Sequence, residues 1–151
     1  MPLLVKICGL STRETLDAAL AAGADMVGFV FFPPSPRHLS LETARELGKQ
    51  AKGRAAKVAL TVDADDATLE NIVETLQPDL LQLHGKETIA RLRDIKAKFA
   101  LPVMKAIAVE PGFDPRGVVT GRVAIPVAHR GSDDAARTFR DRLQHALQEI
   151  P

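Results

Sequence analysis

Short runs of β-branched and apolar residues alternate with Ala-rich amphipathic stretches over most of this 151-residue chain, and nothing else in it restricts the fold so tightly. The runs predict strands near 3–8, 26–32, 57–62, 80–84 and 103–109, and the stretches between them predict helices near 12–22, 41–52, 65–76 and 87–99. Side chains able to cap free amides mark the helix starts: Ser11 or Thr12, Ser40 followed by Glu42, and the acidic stretch from Asp63 to Asp66. Gly23 suits the left-handed turn that ends the first helix. A repeat of roughly 25 residues per unit points to parallel strands, which cannot be joined by a tight turn and need helical crossovers. Two architectures fit, a closed eight-unit barrel and an open doubly wound sheet of five strands. Length favours the open sheet, since closed barrels usually run to about 200–250 residues.

After Val109 the rhythm breaks. Pro111-Gly112-Phe113-Asp114-Pro115 is a turn cluster, and Val118 to Val127 is a weak strand-like stretch interrupted by Gly121 and Pro126. Ser132, Asp133 and Asp134 then open an amphipathic helix whose apolar stripe comprises Ala136, Phe139, Leu143, Ala146, Leu147 and Ile150. We read one α/β domain over 1–151, with regular strand–helix units over 1–109 and an atypical tail over 110–151.

Composition narrows the function classes. With 20 basic and 19 acidic residues mixed along the chain, no basic field exists for nucleic acid; Trp and Tyr are absent and only six Phe are available for stacking. A single cysteine excludes an internal disulfide framework and fits a reducing compartment. Lys6 breaks an N-terminal apolar stretch already too short for a signal peptide. No run approaches the roughly 20 apolar residues of a membrane span. The expectation is a soluble cytoplasmic protein that binds neither nucleic acid nor membrane.

Three motifs fall at strand ends: Val5-Lys6-Ile7-Cys8-Gly9, Gly28-Phe29-Val30-Phe31-Phe32-Pro33-Pro34-Ser35-Pro36-Arg37 and Leu81-Gln82-Leu83-His84-Gly85. In parallel α/β folds chemistry collects at the C-terminal ends of the strands. Strand alternation places Lys6 and Cys8 on one face, where an ammonium near the thiol raises its thiolate fraction and makes it a candidate base or nucleophile. A lone cysteine is otherwise a small buried hydrophobe. The same alternation puts Gln82 and His84 on a face opposite Leu81 and Leu83; polar groups on an inward face cost free energy unless they bond something. The proline-rich loop is too stiff to continue either strand or helix before Pro36, and it delivers Arg37 as a candidate carboxylate clamp or, more plainly, as a solvated side chain.

Together with Gly23-Ala24-Asp25 and Lys105-Ala106, these motifs fall in the order and spacing by which the chain resembles the phosphoribosylanthranilate isomerase family of tryptophan biosynthesis, over about its first 108 residues. The resemblance implies a (βα)8 TIM barrel, here about five βα units plus an atypical C-terminal segment. It implies an isomerase that converts N-(5-phosphoribosyl)anthranilate to 1-(2-carboxyphenylamino)-1-deoxyribulose 5-phosphate by an Amadori rearrangement, with no metal and no cofactor. Cys8 is then the general base, Arg37 holds the anthranilate carboxylate, Gln82 and His84 line the pocket with Lys6 beside them, and Asp63 supports the site from the end of the third strand.

The resemblance also marks departures. The family's general acid is an aspartate ending a sixth strand, and its phosphate site is built from glycine-rich loops after the seventh and eighth strands; residues 110–151 offer neither, and Asp114 in its Pro-Gly turn is a poor substitute. A frame-shifted or truncated tail, a half-barrel completed by a partner, and closure by the 118–127 strand with the final helix all remain open, the first being favoured. The expectation is weak or absent turnover from this chain alone, with self-association through unpaired sheet edges as the non-catalytic alternative. A flavodoxin-like signalling domain fits the strand count, but the ends of the first two strands supply no acidic cluster.

Overall fold

Five strands and four helices alternate in a computed structural model whose described residues run from 4 to 107. The strands are β1 (Lys6–Cys8), β2 (Met26–Phe31), β3 (Ala56–Thr61), β4 (Leu80–Leu83) and β5 (Val103–Lys105); between them lie α1 (Arg13–Ala21), α2 (Leu41–Ala51), α3 (Asp66–Leu76) and α4 (Ile89–Phe99). Every strand pairs parallel with the next in sequence, giving the order β1-β2-β3-β4-β5. Each crossover therefore moves one strand along in the same direction. A doubly wound sheet reverses that direction once, which is what places helices on both of its faces. The strand order excludes the open alternative favoured by length, and the flavodoxin-like domain with it. What remains is the singly wound run of a barrel, helices on one side.

The ladder registers sort the side chains. Cys8↔Gly28↔Val58 and Val30↔Leu60↔Gln82↔Met104 share one face of the sheet. Val27, Phe29, Phe31, Ala59, Leu81 and Leu83 lie on the other, where they are buried against Leu16, Leu47, Leu69, Ile72 and Ile95 from the helices. This helix-facing layer is the main core. Successive helices also pack on one another, α1 on α2, α2 on α3 and α3 on α4.

Local chemistry sets the boundaries. Thr12, Ser40, Asp65 and Thr88 each accept a hydrogen bond from a backbone amide in the first turn of the following helix. Gly23, at φ +80°, ends α1 as its identity implies. The cap at Thr88 was not anticipated, and it moves the start of α4 to Ile89. β1 is shorter than its apolar run because the Asp25 carboxylate takes the amide of Val5, at 2.7 Å, before the ladder begins. The stretch at 118–127, the final helix, Asp114 and the end of the strand expected over 103–109 lie outside the described residues.

Phe29 is fully buried at the centre of the helix-facing layer. Phe29→Ala should cost about 3–5 kcal/mol through the cavity it leaves. Urea unfolding would show this as a lower midpoint with an unchanged slope.

Candidate functional site at the strand ends

Because all five strands are parallel, their C-terminal ends lie on one side, and the loops that follow them carry most of the polar residues singled out in the sequence. Cys8 closes β1 and is half-buried. Its thiol backs directly onto the next strand: a Cβ built at Gly28 would lie 2.8 Å from the Cys8 sulfur. Gly9 follows at φ +83° and donates its amide to the Gly28 carbonyl at 2.9 Å, an arrangement that fixes the turn out of β1.

The loop after β2 curls back under its own hydrogen bonds. Ser35 donates its amide to the Phe32 carbonyl, His38 to Ser35, and Leu39 returns to the Val30 carbonyl at 2.9 Å, so the proline-rich segment is tied at both ends. Ser35 Oγ accepts the Arg37 amide at 3.2 Å. These ties lay the Arg37 side chain over the backbone of Gly9, where a Cβ would sit 2.6 Å from both Cδ and Nη1. Thus Arg37, 29 positions on from Cys8 in sequence, comes to lie over the residue that follows it. The left-handed φ favours glycine at 9, and a side chain at 28 would crowd the Cys8 sulfur and Cα.

Gln82 lies on the same sheet face as Val30 and Leu60, is only 2% exposed, and its Oε1 finds no hydrogen-bond partner among the described residues. An open, buried acceptor of this kind favours contact with a donor from outside the sheet. His84 follows β4 with its amide on the Thr61 carbonyl at 2.8 Å and its side chain exposed. Lys6 lies two residues before Cys8 on the same face, half-buried.

Asp63 is placed differently from a residue facing the cleft. Its backbone is left-handed, φ 47°, and its Oδ1 accepts the Lys86 amide at 2.7 Å, so the carboxylate braces the loop after β4. Any side chain at position 85 would overlap that carboxylate, which explains the glycine there.

The group that sequence reasoning missed is Glu87. Its side chain is 4% exposed, and it ties three strand ends together: Oε1 accepts the Asp63 amide after β3 at 2.9 Å, while Oε2 accepts the Gly85 amide after β4 at 2.9 Å and the Lys105 ammonium of β5 at 2.7 Å. Lys105 also donates to the Gly85 carbonyl. Burial opposes the charged carboxylate, but the bonds from Lys105 and the backbone amides outweigh it and hold the Glu87 pKa below the usual 4.5. The only sequence signal was a Glu two residues after Gly85, and nothing local distinguishes it from a surface carboxylate. Among the described residues no group of three His, Cys, Asp or Glu side chains is placed to hold a metal ion. No helix there is long and apolar enough to cross a membrane.

A half-buried thiol, an arginine over the residue that follows it and an open amide acceptor lie at the C-terminal side of a singly wound parallel sheet, the strand order of the (βα)8 barrel class. Comparison with known proteins gives the family. The model of the N-(5'-phosphoribosyl)anthranilate isomerase family matches residues 5–123, further than the sequence motifs reached, and the chain belongs to that family. It is 78% identical over 114 residues to the N-(5'-phosphoribosyl)anthranilate isomerase of Bradyrhizobium sp. strain ORS 278, covering 76% of this chain and 52% of the relative. To that of Bradyrhizobium diazoefficiens it is 70% identical over 125 residues, 83% of this chain and 56% of the relative. The chain thus spans about half the length of the curated relatives it matches. Among solved structures, phosphoribosyl anthranilate isomerase from Thermus thermophilus superposes with a TM-score of 0.76 at 26% identity, over 93% of this chain and 72% of that one. A phosphoribosyl anthranilate isomerase in complex with reduced 1-(o-carboxyphenylamino)-1-deoxyribulose 5-phosphate gives 0.68 at 33% identity, over 72% of this chain and 55% of that one.

The Glu87 cluster makes a pH-dependent prediction. A carboxylate whose folded pKa is depressed contributes stability above its unfolded value, near 4.5, and loses it as pH falls through the folded value. At neutral pH Glu87→Gln should cost about 3 kcal/mol, since it takes the carboxylate away from Lys105 and replaces one accepting oxygen with a donor that faces a backbone amide. Urea titrations at decreasing pH should show the gap between the two proteins narrowing below about pH 4.5. A gap independent of pH would contradict the assignment.

Proposed function

We propose that the strand-end cluster is the base-and-carboxylate half of a phosphoribosylanthranilate isomerase site. The observation that carries this reading is the placement of Arg37 over Gly9, immediately beside Cys8. The reaction needs a general acid to protonate the ring oxygen of the ribosylamine and open it to an imine. A base then removes the proton from the adjacent carbon, and the resulting enolamine tautomerises to the ketone. In this reading the Cys8 thiolate is the base. Arg37 holds the anthranilate carboxylate through paired hydrogen bonds, which fixes the aromatic end of the substrate and brings the reacting carbon to the sulfur. Gln82 Oε1 and His84 line the pocket, Lys6 adds positive charge below the thiol, and Asp63 acts indirectly by bracing the loop that carries His84. The general acid and the phosphate-binding loops belong to the part of the family's barrel beyond β5. The substrate is a small phosphorylated molecule, no metal or cofactor takes part, and the compartment is the cytoplasm.

A second reading has its own observation. Among the described residues β1 and β5 each pair on one side only, and Leu4 and Val5 just before β1 and Ile7 within it are 62%, 42% and 39% exposed. An open edge flanked by apolar side chains is a template for another strand. In this reading the chain is a half-barrel that associates with a second copy of itself.

A fluorescence assay of isomerisation on the purified chain separates the two. Weak turnover that disappears in Cys8→Ala is expected, because loss of a general acid or base typically costs about 10²–10⁴ in rate. Arg37→Gln should raise KM by about tenfold or more with a smaller effect on kcat, as charge-assisted bonds to substrate are removed. No turnover from a folded chain, with a mass that rises with concentration in light scattering, would favour the associating half-barrel.

A further inference from the structure

The helix-facing layer contains one charged residue that the isomerase site does not use. Lys57, the second residue of β3, is 7% exposed and lies on the face of the sheet away from Cys8, near the N-terminal end of its strand. Its ammonium donates to the Leu76 carbonyl at the C-terminus of α3, at 2.9 Å. That one bond leaves most of its donor capacity unused. Asp79 is close, but its Oδ2 takes the Lys57 backbone amide at 2.7 Å, and among the described residues no carboxylate lies within ion-pair distance of the ammonium. A buried ammonium held mainly by one carbonyl is costly. Burial accordingly pulls the Lys57 pKa down, opposed by Asp79 and reinforced by Lys52.

Lys57 lines a pocket of about 260 Å³ between α2 and α3. Arg45, Lys49 and Lys52 line the α2 side, and Glu74 is the one carboxylate that lines it. Lys49 is shared with Glu46 at 3.1 Å, on the neighbouring turn of α2. Spacing of four and then three residues places the three cations along one stripe of the helix and its end. The lining holds four cations and one carboxylate, an excess of positive charge that Glu46 beside Lys49 and Asp79 near Lys57 offset only in part. A cation needed only to cap α3 would not call for three more around it.

We propose that this pocket is an anion site for a small, multiply charged phosphate, seated on Lys57 and enclosed by Arg45, Lys49 and Lys52. The arginine fork and the lysine donors match phosphate oxygens, and the anion would supply the counter-charge that the buried ammonium lacks. Lying on the helix-facing side of the sheet, the site is independent of the isomerase reading and stands or falls apart from it.

Titration of the full chain with pyrophosphate tests it, followed by amide NMR with ionic strength held constant by sodium chloride. Saturable shifts at Gly48, Lys52, Lys57 and Gln77 are expected. The Arg45→Gln/Lys52→Gln double variant changes only exposed side chains and should weaken binding by about tenfold, each lost contact being worth a few-fold. Lys57→Met should abolish binding; if that variant fails to fold, the double variant still decides. Shifts that do not saturate, shifts confined to Gly9, Arg37 and His84, or an affinity unchanged in the double variant would overturn the proposal.

Discussion

Parallel pairing of each strand with its immediate successor is the constraint on which everything else depends. It sends every crossover the same way, so that α1 to α4 form one layer and the apolar face of the sheet has one partner. The burial of Val27, Phe29, Leu81 and Leu83 against that layer leaves the opposite face for Cys8, Gly28 and Gln82. It also places all the strand ends on one side, where the loops after β1 and β2 meet and Glu87 joins the ends of β3, β4 and β5. Chemistry built there is supported by a core in which it takes no part.

Close contact does the local positioning. Gly28 lets the Cys8 sulfur lie against the neighbouring strand, Gly9 lets Arg37 cross its backbone, and Gly85 makes room for the Asp63 carboxylate. Each glycine is adjacent to a side chain of consequence rather than being one itself. Around them Glu87 supplies what short strands lack. One nearly buried carboxylate collects two backbone amides and an ammonium from three strand ends, which offsets the cost of its own burial and resists relative motion of the loops. At the other end of β3, Lys57 is buried under poorer terms, with one carbonyl and several like charges.

Much of the fold was legible in the chain. The five apolar runs became five strands, and the caps at Thr12, Ser40 and Asp65 fell where short polar side chains precede amphipathic stretches. Length misled, because the number of residues says nothing of whether a crossover goes forward or back. The motif residues Cys8, Arg37, Gln82 and His84 were legible as polar groups at strand ends. Glu87 was not, since its importance comes from Asp63 and Lys105, 24 and 18 positions away, and no periodicity encodes such distances. Lys57 was equally hidden within an otherwise apolar strand.

Sequence by itself determined the alternation of strands and helices, the helix caps, the face on which each strand residue lies and the family to which the motifs belong. These follow from rules that act within a few residues: backbone period, side-chain capping and glycine's access to positive φ. Tertiary structure alone decided the strand order, the approach of Arg37 to Cys8, the Glu87 tie across three strand ends and the burial of Lys57. Those depend on how far the chain travels before it returns. Only packing and long-range hydrogen bonding fix that distance.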